Sequence, residues 1–572
     1  MKNLFFGALI CAAGAQLCAQ TALYIPDTLA GTSFTLNLHR DSAQFYPGTI
    51  TQTNGFNSHK YLGPTLLFKK GDNINMTVNN QLPDSTAIHW HGLHVASMND
   101  GGPHTPIIPG GSWNPQFKMM NWAATYWYHP HLHKKTGMQA MRGAAGLIIV
   151  RDSAEAALTL PRRYGLDDFP IIVQSQQFDS INQINYKGME DSIMLVNGSR
   201  ANYGYSVYGN FPAQVVRMRL LNGSQERTYS FGFTANKQFF VIGNDGGLLQ
   251  TAVPSTRIWL SPGERAEILL DLTGMNGQTL HLMNYGSDLP TGVQGGPTMP
   301  MGGMGPPMDS PLNGADFNIL QINVVGQTSN PVTTIPTTLI ADNPLQASQA
   351  TITRPINFTA LSMMSMDGPF FFNGNTFDMM RIDYHIPLNN IEIWELTNQT
   401  MVAHPFHLHD VNFYILDRDG NAPAAVEKGK KDVVLVQPNE TVRFITQFTD
   451  FVDSITPYMY HCHILMHEDD GMMGQFVIMP QGWTDIRNAP AADASANVYP
   501  NPSNDWLNID LEDNGSQASA NIEVSDELGR VIHTSTYAEK LARINTSGWA
   551  RGFYTITIAA GEKRSFKKIL VE

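Results

Sequence analysis

The sequence predicts an all-β protein: three β-sandwiches of one kind followed by a small fourth. Three observations carry this. Segments such as "LLFKKGDNINMTVNN", "ATYWYHPHLH", "NIEIWELTNQT" and "VRFITQF" alternate or run apolar and are rich in β-branched and aromatic residues. They are bounded by Gly, Pro and Asn, and helical periodicity is scarce. The chain also repeats itself. From Asn80, "NQLPDSTAIHWH" reaches histidines nine and eleven residues on, and "NQTMVAHPFHLH" from Asn398 does the same without a gap. "NGSQERTYSFGF" from Asn222 puts Phe231 and Phe233 at those places. Finally, 572 residues with 42% hydrophobic content exceed what one core holds.

Taken in order, residues 1–19 have Lys2, an apolar run from Leu4 and small residues up to Ala19, the pattern of a cleaved signal peptide. Cys11 and Cys18 would leave with it. No other stretch reaches the roughly 18 apolar residues of a membrane span, and neither cysteine sits in a lipid-anchoring motif. The expectation is an exported chain with no membrane span. A net charge of −13 without a basic block speaks against a nucleic-acid partner. The three sandwiches are expected at 20–160, 165–330 and 345–482, the middle one without metal residues. A small-residue linker, 483–496, leads to a separate module at 497–572.

Cys462 is then the one thiol left, and it lies in "YHCHILMHEDDGMM". Ten of the eighteen histidines fall in four strings: "HWH" (His89, His91), "HPH" (His129, His131), "HPFHLH" (His404, His407, His409) and "HCHILMH" (His461, His463, His467). Residues i and i+2 of a strand share a face, about 6.6–6.8 Å apart, and i+1 points the other way. His461 and His463 therefore share one face and Cys462 takes the other. The same parity separates His404 from His407 and His409. One site collects Cys462, His404, His467 and Met472. The other collects His407, His409, His461 and His463 with His89, His91, His129 and His131. Two imidazoles, a thiolate and a distant thioether form the blue-copper donor set. Eight imidazoles suit a cluster of about three coppers with room for dioxygen, and Cys462 joins the two sites.

These four motifs are those of the multicopper oxidases, and residues 40 to 480 resemble that family, with "DGGPHTPIIPGG" and "KTGMQAMRGAAGLIIV" most like its bacterial laccase and cuprous-oxidase branch. The resemblance implies cupredoxin-like Greek-key sandwiches and four coppers per chain. It implies type 1 ligands His404, Cys462, His467 and Met472, type 2 ligands His89 and His407, and type 3 ligands His91, His129, His131, His409, His461 and His463. A reductant would give up single electrons, and dioxygen would be reduced to water. Asp100 and Glu468 occupy the places of the family's proton-relay acids. His94, His104 and His133 read as neighbours of the ligands, and His39, His59, His281, His385 and His533 as structural. The ring edges of His404 and His467 are expected near the surface, where electrons enter.

The reductant is a phenol, an aromatic amine or Cu(I). Met299, Met301, Met304, Met308, Met363, Met364 and Met366 are soft donors suited to Cu(I), whereas Thr400 and Val402 stand where cuprous oxidases of the family place Asp and Met. A copper nitrite reductase and a copper-free scaffold are the alternatives; the complete set of eight cluster imidazoles favours the oxidase. The module at 497–572, with "YPNPS", "ELGR" and "KKILVE", resembles the sorting domain of type IX secretion substrates. It implies that machinery as a partner and a secreted or surface-attached protein.

Overall fold

The computed structural model describes residues 19–187, 191–298, 310–362, 368–483, 496–511, 520–526, 529–537, 541–560 and 563–571. The methionine-rich positions 299–308 and 363–366, and residues 1–18, lie outside them. Strands dominate, and the longest described helix is the six-residue Thr136–Met141. The chain forms two compact units, Met1–Gly482 and Trp483–Glu572.

The first unit holds three sandwiches. In the first, the sheet nearest the chemistry runs Thr28–Ala30, Thr65–Lys69, Gly146–Arg151, Ala124–Pro130, Ile88–His91. In the third, Met473–Met479, Asp453–Cys462 and His404–Leu408 are neighbours in that same order. The repeat in sequence is thus a repeat in topology. The middle sandwich is built of a six-stranded and a seven-stranded sheet, and the six-stranded one includes Ala19–Ala22 paired in parallel with Tyr205–Tyr208. Phe231 and Phe233, which stand where the other copies have histidines, are buried in its core.

The asparagine that opens each repeat does the same work three times. Asn80 Oδ1 accepts from Leu82 N, Asn222 Oδ1 from Ser224 N and Asn398 Oδ1 from Thr400 N, at 2.9, 3.0 and 2.9 Å. Each amide also donates to two main-chain carbonyls: Asp84 and Ile107, Arg227 and Leu260, Val402 and Val436. A buried side chain that mimics a turn hydrogen bond fixes the loop before the functional strand.

The second unit, described by itself, packs a sheet of Ala496–Tyr499, Trp506–Leu511 and Leu541–Asn545 with one of Ala520–Asp526, Val531–Tyr537, Gly552–Ala560 and Lys563–Val571. Leu507, Ile509, Ile522, Val524, Ile556 and Ile558 form its core.

Candidate metal centre

The antiparallel register of the third sandwich sets Phe406 opposite Cys462 and His407 opposite His461. Directly opposed residues point to one face, so Cys462 faces the sandwich core and His407 and His461 face outward. The first sandwich presents its own pair the same way, with His129 opposite His89 and His91 opposite Trp127.

On the core side, Cys462 Sγ lies 3.5 Å from His404 Nδ1 and 3.6 Å from His467 Nδ1. Asp453–Cys462 supplies the thiol, His404–Leu408 the first imidazole, and the short helix Leu465–Asp469 the second. Met472 is buried in the same core, its carbonyl accepting from Cys462 N and its amide donating to His467 O. Burial pushes the Cys462 thiol well above its ordinary range and pulls His467 down to about 3. A cation among these donors would reverse the first shift, because a coordinated thiol ionises. Two imidazoles and a thiolate match copper. Both rings are buried, at 0% and 4% exposure. The expected surface position of their edges is not what the fold provides: Phe370 packs on both rings, with centroids 4.7 and 4.5 Å away, and Thr400 caps His404 Nε2.

On the other side the eight imidazoles fall into three groups whose donor atoms lie within 4.8 Å of one another: His89, His407 and His409; His91, His129 and His463; His131, His409 and His461. His91 Nδ1 is 3.3 Å from both His129 Nε2 and His463 Nε2. His131 Nε2 is 3.1 Å from His409 Nε2 and 3.2 Å from His461 Nε2. Nitrogens held tetrahedrally about 2.0–2.1 Å from one first-row ion stand ~3.3 Å apart. The donor set fits. His89 Nε2 and His407 Nε2 are buried with no hydrogen-bond partner. Burial first, and neighbouring imidazoles after it, hold His91, His131, His407, His409 and His463 well below the usual imidazole range. They present neutral lone pairs, the form a metal requires.

The ring nitrogens turned away from the junction are anchored. His89 Nδ1 donates to Asp100 O, His129 Nδ1 to Pro130 O, His407 Nδ1 to Asp432 O and His461 Nδ1 to Cys462 O, at 2.8–3.0 Å. His409 Nδ1 donates to the Asp100 carboxylate at 2.7 Å. Asp100 ends the helix Ser97–Asp100, and the next residue, Gly101, has φ +86° with the Ile88 carbonyl where a Cβ would go. Only glycine permits that approach. The Glu468 carboxylate lies 3.3 Å from both His131 Nδ1 and His461 Nδ1. Burial raises its pKa well above the carboxylate range, which favours its protonated form.

Asp432 escaped sequence reasoning. Its Oδ1 lies 3.1 Å from His91 Nε2, and both its oxygens accept from Arg265 of the middle sandwich at 2.6 Å. Burial pushes its carboxyl up to about 6, against the pull of the guanidinium. The sandwich without donors thus orients one, and its Gly263 lies so close to the His463 ring that a Cβ would stand 2.8 Å from it. The one signal for Asp432 in sequence is a carboxylate at the head of the apolar strand "VVLV". Of the histidines beside the motifs, His104 Nε2 binds Gln475, His94 binds Asp410 and Asp450, and His133 stacks edge-on against Phe377.

A family model described as multicopper oxidase matches residues 38–155 and another of that description 349–482; a secretion system C-terminal sorting domain matches 497–572. A multicopper oxidase of Staphylococcus haemolyticus is 32% identical over 78% of this chain and 88% of its own length. The cell division protein FtsP of Sodalis glossinidius is 31% identical over 83% and 97%. Among solved structures, a laccase-like multicopper oxidase of Ochrobactrum sp. superposes with TM-score 0.69 at 30% identity, covering 80% of this chain and all of the other. The multicopper oxidase of Aquifex aeolicus gives 0.70 at 27%, covering 81% and all.

Proposed function

The chain belongs to the multicopper oxidase family, and on that premise we propose which residues hold its coppers and move its protons. The enzyme couples one-electron oxidation of a reductant to four-electron reduction of dioxygen to water. His404, Cys462, His467 and Met472 hold the type 1 copper. His89 and His407 hold type 2, and His91, His129, His131, His409, His461 and His463 hold the type 3 pair. The observation that carries this is the sorting of buried, neutral imidazoles into groups with nitrogens 3.1–3.3 Å apart. Copper, when bound, supplies one-electron redox chemistry at the first site and dioxygen binding at the second.

The protein's own part is positional. Cys462 lies in sequence between His461 and His463, so a single peptide bond joins the cysteine to each histidine on the far face. Glu468 holds a proton beside two of the imidazoles, and Asp100 orients two others. These two carboxylates feed the four protons that water formation consumes. The cell-division relatives show that this fold is also found in proteins named for another role, and here the complete donor set favours the oxidase.

The reductant is a small phenol, an aromatic amine or Cu(I). The sorting domain supports export through type IX secretion. The signal peptide at 1–19 takes the chain across the inner membrane, and the protein ends in the medium or at the cell surface.

Metal analysis of the full-length protein should give about four coppers per chain and a blue absorbance. Near zero would support a scaffold, and about two a nitrite reductase. Cys462→Ser should lose the blue band and all turnover while keeping about three coppers. A blue or active variant would overturn the type 1 assignment.

A further inference from the structure

Thr400 Oγ1 lies 2.9 Å from His404 Nε2, the ring nitrogen turned away from Cys462. The hydroxyl is buried, with Thr400 at 2% exposure, and besides His404 it meets Asn398 Oδ1 at 2.8 Å, Val402 O at 3.0 Å and, at 3.4 Å, the Val402 amide, which donates to one of its lone pairs. The two oxygens only accept. Asn398 cannot be turned to offer its amide nitrogen instead, because that nitrogen donates to Val402 O and Val436 O, and its oxygen accepts from Thr400 N. A hydroxyl has one proton and two lone pairs. The arrangement that satisfies every group sends the threonine proton to one of the oxygens and leaves a lone pair for a donor on His404.

We propose that Thr400 is a positioning residue of the metal centre: its hydroxyl accepts from His404 Nε2–H, fixes that tautomer and leaves Nδ1 bare toward Cys462. This rests on the reading of His404 as a type 1 ligand. The anchored N–H makes the imidazole a stronger donor, as hydrogen bonds behind ligating histidines do, and thereby favours the oxidised metal. The device belongs to the third sandwich alone. Where it has Thr400 and His404, the first copy has Leu82 and Thr86. The middle copy has Ser224 and Thr228, and the Ser224 hydroxyl is engaged by Tyr229 and Ser175.

The fold should survive loss of this hydroxyl. In Thr400→Val, Asn398 Oδ1 keeps its bond from the residue-400 amide and Val402 O keeps its bond from Asn398. The groups that lose a partner are His404 Nε2, at 2.9 Å, and the Val402 amide, whose bond to the hydroxyl is the longer one at 3.4 Å. Thr400→Ser restores the hydroxyl.

Two measurements test this on the full-length protein. In the copper-free form, ¹⁵N-histidine NMR, with His404 assigned by its loss in His404→Gln, should show the Nε2–H tautomer in wild type and T400S. T400V should show a mixture of tautomers. A Nδ1–H ring in wild type, or an unchanged tautomer in T400V, would overturn the proposal. In the copper-loaded form, the reduced-to-oxidised ratio of the blue site at a fixed applied potential should rise about two- to tenfold in T400V, the size of one buried hydrogen bond. T400S should stay close to wild type. An unmoved ratio in a blue T400V would sink this inference and leave the type 1 reading intact. A wild type with copper and no blue band would sink that reading, and the copper-free measurement would still decide the role of Thr400.

Discussion

Asp100 acts on two histidines at once: its carboxylate accepts from His409 Nδ1 and its main-chain carbonyl from His89 Nδ1. Asp100→Asn keeps an oxygen for His409 and removes only the titratable group. Reduction of the blue site by substrate should then stay at the wild-type rate while dioxygen reduction slows by roughly tenfold or more. Stopped-flow traces with the two rates equally slowed would assign Asp100 to the architecture instead. A second residue sets a pH limit. Burial lowers the affinity of His94 for its proton, but Asp410 at 2.7 Å and Asp450 at 3.0 Å outweigh it and raise the pKa to about 9. A raised folded-state pKa means the stabilisation is complete below the unfolded value of about 6.5 and is lost as pH climbs to about 9. The thermal midpoint should fall over that window in wild type, and the fall should be absent in His94→Gln. An equal slope in both would remove His94 from the account. Asp100 and Glu468 were reached through the family resemblance, because they occupy the places of its acids after His91 and His467. Asp432 and Arg265 were not, because their pairing spans 167 residues and two sandwiches.

Strand parity made the division of donors readable before any coordinates. A period of two puts Cys462 and His461 on opposite faces whatever the sheet around them, and the register of Asp453–Cys462 against His404–Leu408 keeps His407 and His461 on one face. The repeated asparagine turned a sequence pattern into a structural one, since the same three hydrogen bonds recur in each copy. What parity does not carry is the packing over the strand, so the cover of Phe370 on His404 and His467 went unseen. The methionine segment 299–308 is an element whose role rests on chemistry. Gly314 N donates to Gly295 O at 2.9 Å, which ties together the described residues on either side of it. Excising 299–309 and closing the gap with a short Gly-Ser linker should leave the sandwich intact, with Ser310 still bonded to Arg227. Cu(I) oxidation should fall severalfold, because soft thioethers no longer hold the ion, and turnover of a small phenol should be equal or higher. Unchanged Cu(I) oxidation would favour the phenol or amine as reductant. Equal loss of both would mean that the loop supports the fold.

The whole molecule divides between Gly482 and Trp483, and so does its work. Every proposed copper ligand and both carboxylates lie before that point, and the sorting-domain match begins after it, at residue 497. Each unit has its own core: Trp394, Phe406 and Phe444 lie in the third sandwich, and Leu507, Ile522 and Ile556 in the final module. A domain with its own core folds alone. A chain ending at Gly482 should therefore bind about four coppers and turn over within about twofold of the full-length rate. Its location should differ. Expressed in a host with the type IX machinery, the shortened chain should accumulate in the periplasm, while an unrelated periplasmic protein carrying residues 483–572 should reach the surface or the medium. Fractionation and activity assays on both proteins read the two halves separately. A shortened chain found outside the cell would place the export signal elsewhere. A shortened chain without copper or activity would mean that the module assists folding of the oxidase, a coupling that two separate cores give no reason to expect.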